Sequence, residues 1–217
     1  MTEASVDQPN VSSKIRGLYL ILDQRWSSRW NFSEILCQAG EVGVKVVQYR
    51  NKDEGMNKVY QQALGLRKIA SDAGMAFIVN DRCDVGLAVE ADGVHLGQSD
   101  LPISLARELM GPNCLIGLST HSPEQVIEAT EQGADYIGFG PIFPTTTKEN
   151  PEPVVGIDGL IKVRSLTSLP IVAIGGIPSD SVSKIVAAGA NAVAVASGVL
   201  DSTDPREALK RYMESFP

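Results

Sequence analysis

Short apolar runs alternate with helical patterns along most of the chain. Each run has only three to five residues, and the segment after it spaces its apolar residues at helical intervals. The runs are apolar throughout instead of alternating with polar residues, which is typical of strands covered on both faces. This pattern predicts strands at 18–22, 44–48, 77–79, 93–96, 115–118, 136–139, 171–174 and 192–196.

Helices are predicted between these strands by the same periodicity, with Ser33 and Ser122 as N-caps of the first and fifth. An alanine followed by an acid or asparagine joins helix to strand three times, at 91–92, 134–135 and 190–191. Eight such alternations favour a (β/α)₈ TIM barrel with outer helices. A doubly wound open sheet is the alternative, but the glycine-rich fingerprint after its first strand is absent. The predicted helices cover 33–39, 56–73, 82–90, 104–110, 123–131, 158–165, 179–188 and 205–215.

Composition narrows the class of protein further. The chain has 217 residues, of which 43% are hydrophobic and 21% charged, enough for one domain with a sizeable core. We expect that domain at 17–217, after a polar and disordered extension at 1–16 that lacks the apolar core of a signal peptide. No segment is apolar enough to cross a membrane. Three distant cysteines favour a reducing cytoplasm, and a net charge of −7 argues against a nucleic-acid surface.

Polar side chains collect after the predicted strands, which is where barrel enzymes have their active sites. Gln48, Arg50 and Lys52 follow the second strand at a period of two and therefore share one face. Guanidinium and ammonium groups both suit phosphate oxygens. These three residues predict an anion site, although a solvated strand end is the plainer interpretation for Lys52.

Asp81 and Asp100 follow the third and fourth strands. In a right-handed crossover both carboxylates emerge at the same end of the sheet, where two oxygen ligands could hold Mg²⁺ on a phosphate ester. The alternative is that each aspartate caps the helix that follows it, near Arg82 and Ile103. Because Arg50 and Lys52 would bring an anion next to the two aspartates, we interpret metal binding as the main role of this pair.

Small residues follow the last two strands, at Gly175-Gly176 and Ser197-Gly198. Such turns let backbone N–H groups approach a phosphate at the barrel mouth, although glycine can also serve a tight turn alone. Two anion sites over one mouth indicate a reaction that joins two phosphorylated groups.

Six motifs follow one another along the chain: Gln48-x-Arg50-x-Lys52, Asn80-Asp81, His95-x-Gly97-Gln98-x-Asp100, Gly117-Leu118-Ser119-x-His121, the loop from Gly138 through Thr145-x-Thr147-Lys148, and Gly175-Gly176-Ile177. Together they resemble the thiamine-phosphate synthase family, from about residue 17 to the end. The resemblance implies a TIM-barrel transferase that couples aminopyrimidine-methyl diphosphate to thiazole phosphate and releases pyrophosphate. It implies two small-molecule substrates and a dissociative, Mg²⁺-assisted mechanism. The oligomeric state is left open.

The resemblance also implies a role for each matching residue. Asp81 and Asp100 would hold Mg²⁺. The catalytic residues would be Arg50, Lys52, Ser119 and Lys148; the contacts to the pyrimidine diphosphate would be these four with Gln48 and Asn80. The contacts to the thiazole phosphate would be Thr145, Thr147, Gly176, Ser197 and Val199. His95 lies on a strand and is expected to be packed and hydrogen-bonded. No Ser–His–acid or Cys–His arrangement is evident, so covalent catalysis is not expected.

Three alternatives remain at this level. A related thiazole tautomerase would use a histidine after the fifth strand, where His121 lies, but would not need the aspartate pair or the Pro-Thr-x-Thr-Lys loop. A non-catalytic binder of phosphorylated thiamine precursors would not need a metal beside the cations. A phosphosugar isomerase or aldolase would want a buried lysine or glutamate, for which Lys45 is the candidate.

Overall fold

Eight parallel strands close into a barrel in the computed structural model, which describes residues 14–145, 147 and 152–217. Each strand pairs with the next in the chain, and β8 returns to β1 to complete the ring. The predicted (β/α)₈ barrel is confirmed. The strands are β1 (Gly17–Asp23), β2 (Val46–Arg50), β3 (Ala76–Asn80), β4 (Gly93–Leu96), β5 (Leu115–Thr120), β6 (Tyr136–Phe139), β7 (Ile171–Ile174) and β8 (Ala192–Val195).

Helices surround this barrel, and they cover its outer face. They are α1 (Phe32–Glu41), α2 (Met56–Asp72), α3 (Cys83–Ala88), α4 (Ile103–Met110), α5 (Pro123–Glu131), α6 (Gly156–Arg164), α7 (Val182–Ala187), α8 (Ser197–Leu200) and α9 (Pro205–Glu214). Short 3₁₀ turns lie at Gln24–Trp26 and Ser179–Ser181. Among the described helices, none is long and apolar enough to cross a bilayer.

The strands are buried on both faces, as their continuous apolar runs predicted. Residues such as Leu20, Val47 and Phe77 pack outward against the helices. The alternate positions, including Tyr19, Val46 and Ile78, fill the barrel interior. The interior is therefore a packed core, and ligands can be held only above it, at the ends of the strands.

Several boundaries differ from the sequence prediction. β2 covers 46–50 instead of 44–48, so Gln48 and Arg50 belong to the strand and are held in its register. Asn31, not Ser33, caps α1 by accepting from the Ser33 N–H at 3.0 Å. Ser122 caps α5 as predicted. The four-residue α8 was missed because it is too short to show a helical period.

The N-terminal end of the barrel is closed by Ile15, which is 2% exposed and packs with the interior residues. The structure thus differs from the expectation of a disordered extension at 14–16; residues 1–13 of that extension lie outside the described residues. Lys45 is exposed immediately before β2, at the end of the barrel where the strands begin. It is therefore not the buried lysine that an aldolase would need.

Glycines make room for aromatic rings inside the barrel. A Cβ on Gly117 would lie 2.2 Å from Cζ of Tyr136 and 2.6 Å from Nδ1 of His95. A Cβ on Gly138 would lie 3.1 Å from Cε1 of His95. Because the rings are enclosed by other strands, these two glycines set the space that the interior side chains occupy.

We expect Gly117→Ala to lower the free energy of unfolding by about 1–3 kcal/mol, since the added methyl group overpacks a filled core. Gly65→Ala is the matched control, because Gly65 is exposed within α2 and its added Cβ would meet nothing within 4 Å. That control should raise stability by about 0.5–1 kcal/mol. Urea unfolding measures both, and equal effects would contradict the packing argument.

Candidate active site

The C-terminal ends of all eight strands lie on one rim because the strands are parallel. This rim, which we call the mouth, carries most of the residues that the sequence singled out. Gln48 and Arg50 end β2, Asn80 ends β3, and Ser119 lies near the end of β5. The predicted pyrimidine-diphosphate and metal residues therefore occupy the adjacent strand ends β2 to β5, apart from Lys148, which lies outside the described residues.

Arg50 is held by a buried acid that the sequence analysis did not select. Its Nη1 lies 2.5 Å from Oδ2 of Asp23, the last residue of β1 and its partner in the strand register. Asp23 is 1% exposed and also accepts from the backbone N–H and the Nε of Arg25. The carboxylate thus fixes the Arg50 guanidinium at the mouth. An acid that ends an apolar strand was the only signal for it in the sequence.

Lys52 reaches the next strand end, where its Nζ lies 2.8 Å from Oδ2 of Asp81. Asp81 has a left-handed backbone (φ 61°), a conformation that aspartate tolerates better than most residues. Its N–H donates to the carbonyl of His95 at 2.8 Å, which ties the turn after β3 to β4. This turn directs the carboxylate toward the cations.

Asp81 and Asp100 lie close together at this end of the barrel. Burial raises the pKa of Asp100, and the neighbouring Asp81 carboxylate raises that pKa further, while the Gly97 N–H, 2.6 Å from Oδ2 of Asp100, opposes the shift. Neither aspartate caps a helix: α3 and α4 begin after Arg82 and Pro102, and neither N-cap makes a side-chain bond. The capping interpretation is wrong.

Two crowded carboxylates are a ligand set that fits a divalent cation. Mg²⁺ in phosphate-transferring sites commonly takes one or two protein carboxylates and completes its shell with water and phosphate oxygens. Within the described ranges, no group of three or more His, Cys, Asp or Glu side chains could hold a metal. The aspartate pair therefore suits a metal that binds together with its substrate, not a closed structural site.

A chain of hydrogen bonds runs through the barrel interior beneath the mouth. Gln48 Nε2 donates to the Tyr19 hydroxyl at 3.0 Å, and that hydroxyl lies 3.0 Å from the hydroxyl of Tyr136. The Tyr136 oxygen lies 3.1 Å from Nδ1 of His95, whose Nε2 lies 3.0 Å from Oγ of Ser119. Both ends of this interior chain are residues predicted to contact the pyrimidine. The three residues between them, Tyr19, Tyr136 and His95, lie on predicted strands and were expected to pack in the core.

His95 is hydrogen-bonded, as predicted, but its partner Ser119 was not foreseen. The sequence showed no serine–histidine pair because the two residues are far apart in the chain and meet only across β4 and β5. The third group of the series is a tyrosine hydroxyl, not a carboxylate. The arrangement therefore lacks the acid of a nucleophilic triad.

The other side of the mouth is built by the loop after β6. Its backbone continues the sheet beyond the strand, since the N–H groups of Ile142 and Phe143 donate to the carbonyls of Ile174 and Gly175, both at 2.9 Å. A Cβ on Gly176 would lie 2.2 Å from the carbonyl oxygen of Pro144. Gly176 thus lets this loop lie against the turn after β7.

The predicted thiazole-phosphate residues fall on this side. The N–H of Thr147 donates to Oγ1 of Thr145 at 3.3 Å. Ser197 begins α8, where the first N–H groups of a helix have no partner within it. Val199 is fully buried, and its N–H donates to Ala196 at 3.1 Å.

Known proteins resemble this chain over most of its length. A family model described as thiamine monophosphate synthase matches residues 18–199. The thiamine-phosphate synthase of Chloroflexus aurantiacus is 43% identical over 194 residues, which is 89% of each chain. That of Pelotomaculum thermopropionicum is 44% identical over 181 residues, covering 81% of this chain and 83% of its own. A solved thiamine phosphate pyrophosphorylase from Pyrococcus furiosus superimposes with a TM-score of 0.85 at 36% identity, covering 94% of this chain and 96% of its own.

The chain belongs to the thiamine-phosphate synthase family. The resemblance drawn from the six motifs is confirmed, and so is the enzyme class, a transferase of thiamine biosynthesis. The tautomerase and the non-catalytic binder were the alternatives, and the named relatives favour neither.

His121, the residue that a tautomerase would use, is fixed by two hydrogen bonds. Its Nδ1 lies 2.6 Å from the carbonyl oxygen of Gly140, which can only accept, so Nδ1 carries the hydrogen. The backbone N–H of His121 donates to Oε1 of Gln125 at 2.7 Å. These bonds hold His121 against the start of the β6 loop.

We expect Asp23→Asn to lower the free energy of unfolding by about 1–3 kcal/mol. Breaking a fully buried ion pair costs roughly 3–5 kcal/mol. The loss expected here is smaller because Arg25 and Arg50 are both partly exposed to water. Glu41→Gln is the matched control, since Glu41 pairs with Arg206 on the surface with both side chains more than half exposed. That change should cost less than about 0.5 kcal/mol. Thermal unfolding measures both, and similar losses would refute the role of Asp23.

Proposed function

We propose that the enzyme couples aminopyrimidine-methyl diphosphate to thiazole phosphate, giving thiamine phosphate and pyrophosphate. The observation that carries this proposal is the division of the mouth. Cations and carboxylates follow β2 to β4, whereas small residues and threonines follow β6 to β8. One side suits a diphosphate with a metal, and the other suits a phosphate held by backbone N–H groups and hydroxyls.

The diphosphate binds on the cation side. Arg50 is oriented by Asp23, and Lys52 extends from the turn after β2. Asn80 lies beside them at the end of β3 and would donate its amide hydrogens to the same phosphates. Gln48 and Ser119, which end the interior chain, contact the pyrimidine ring. Lys148 belongs to the same group by the family motif alone.

Asp81 and Asp100 would hold Mg²⁺ through their carboxylates. When bound, it would supply positive charge to the oxygens of the leaving group. Lys52 neutralises part of the aspartate charge. Because Lys52 is half exposed, exchanging its ion pair for a phosphate contact costs little.

The thiazole phosphate binds on the other side. Thr145 and Thr147 offer hydroxyls, and Gly176 permits close approach of the backbone. Ser197 and the first turn of α8 complete this proposed site. The Val199 N–H is engaged within α8, so Val199 contributes the buried wall behind the site.

The proposed reaction is dissociative. The C–O bond breaks first and pyrophosphate leaves with the bonding electrons; the thiazole nitrogen then attacks the pyrimidine-methyl cation. Arg50 and Lys52 stabilise the charge that develops on the departing diphosphate, which is electrostatic catalysis. We further propose that the enzyme works in the cytoplasm, where its three free cysteines stay reduced.

A mixture of the two precursors with Mg²⁺ should yield thiamine phosphate and an equal amount of pyrophosphate. Chromatography and a pyrophosphate assay measure the two products independently. Omitting the thiazole phosphate is the control, and it should abolish thiamine phosphate formation. If neither product appears with folded enzyme, the proposed reaction is refuted.

Asp81→Asn should reduce turnover by about 100-fold or more, because the carboxylate holds a metal worth several kcal/mol to the transition state. Raising the Mg²⁺ concentration should recover part of the loss. Asp84→Asn is the matched control, since Asp84 pairs with Arg82 on the surface of α3 only a few residues away. Its turnover should be unchanged. Full wild-type activity in excess chelator would overturn the metal assignment.

A further inference from the structure

The hydrogen bonds of the interior chain, which runs from Gln48 to Ser119, all donate in one direction. Tyr19 accepts a hydrogen bond from Gln48 Nε2, so its own hydrogen needs another acceptor in a fully buried position. The Tyr136 oxygen, 3.0 Å away, is that acceptor. Burial raises the pKa of both tyrosines, which keeps both hydroxyls protonated. Each hydroxyl has one hydrogen to donate, so the direction set at Gln48 is passed along the chain.

The same direction fixes the tautomer of His95. Tyr136 accepts from Tyr19 and therefore donates to Nδ1 of His95. A neutral imidazole that accepts at Nδ1 carries its hydrogen on Nε2, and Nε2 then donates to Oγ of Ser119. His95 consequently cannot remove the Ser119 proton. This is the reverse of a nucleophilic triad, in which an acid accepts from Nδ1.

Gln48 and Ser119, the two ends of the interior chain, therefore offer a ligand opposite hydrogen-bonding groups. Gln48 donates one of its two amide hydrogens to Tyr19, and this bond fixes the orientation of the amide, so that its carbonyl oxygen stays in place as an acceptor for a ligand. Ser119 accepts from His95, which leaves its hydroxyl hydrogen available to a ligand. One end offers an acceptor and the other a donor. A ring with an amine donor beside a ring-nitrogen acceptor matches this pair.

We propose that Tyr19, Tyr136 and His95 are positioning residues that select the aminopyrimidine by fixing the orientation of Gln48 and the donor role of Ser119. The inference rests on the proposed function, because it assigns the pyrimidine to these two ends. It adds that the tyrosine hydroxyls, which never touch the substrate, determine which ring the enzyme accepts. Breaking the chain frees Gln48 to turn its amide and Ser119 to turn its hydroxyl.

The 4-oxo analogue of the pyrimidine diphosphate tests this inference. In its N3–H form it presents a carbonyl acceptor where the amine was and a donor where the ring nitrogen was. Wild-type enzyme should favour the amine over the 4-oxo compound in kcat/KM by about 1,000-fold or more, because the wrong ring leaves polar groups unpaired. Intrinsic reactivity differs between the two compounds, but that difference is the same for every variant and cancels.

Tyr136→Phe removes one hydroxyl from the middle of the chain and keeps the ring. Its preference for the amine should fall at least about tenfold below that of the wild type, since both ends can then present either polarity. Tyr19→Phe is a second variant that frees Gln48, while the buried Tyr136 hydroxyl still donates to Nδ1 of His95, so it should give a smaller fall. The KM for thiazole phosphate should stay unchanged in both.

Tyr49→Phe is the matched control. Tyr49 is equally buried, on the outer face of β2, and its hydroxyl donates to Gln62 at 2.6 Å instead of to the interior chain. Its preference ratio should equal that of the wild type. If Tyr136→Phe and Tyr19→Phe lower kcat/KM for both pyrimidines equally, the hydroxyls are merely structural and the inference is overturned. If wild-type enzyme makes no thiamine phosphate at all, the proposed function fails instead.

Discussion

Closure of the parallel sheet is the constraint on which the rest of this molecule depends. Backbone pairing of β8 with β1 leaves no free edge, and because all eight strands are parallel, every carboxyl end lies on the same rim. Closure also brings Tyr19 of β1 to Tyr136 of β6 inside the barrel. Asp23 reaches Arg50 across one strand pair, and His95 reaches Ser119 across another.

Local ion pairs concentrate cations at the mouth of an acidic protein, at the proposed anion site. The chain carries a net charge of −7, yet Arg50 and Lys52 are gathered at the mouth. Each is held by an aspartate from the neighbouring strand end, which orders the side chain before a ligand arrives. The two pairs differ in burial: the Asp23 side chain is 2% exposed beneath Arg50, whereas the Lys52 side chain is 51% exposed and can change partners at little cost. A fixed cation beside an exchangeable one can receive a diphosphate together with a metal.

The hydrophobic pattern of the sequence predicted the strands and the positions of the residues that follow them. It did not predict side-chain contacts between residues on different strands. Continuous apolar runs located all eight strands, and the rule that barrel sites follow the strands predicted that Gln48, Arg50, Asp81 and Asp100 lie at the mouth, where the structure has them. Their roles in binding stay predictions. Asp23 was missed because a single acid after an apolar run reads as the end of a strand. Tyr19 and Tyr136 were missed because their hydroxyls meet across 117 positions of the chain, and no local pattern encodes a partner at that distance. Lys148 remains a prediction.

The close fit of Gly117 against Tyr136 also limits how such a barrel can diverge. A side chain at 117 requires a smaller residue at 136 and also a shift of His95, whose Nδ1 would lie 2.6 Å from the added Cβ. A smaller residue at 136 alone leaves a void beside His95. Each single change at these positions is therefore destabilising. A lineage or a mutant library that explores new ring specificities would meet that barrier first, in the packing beneath the mouth and not in the residues that face the substrate.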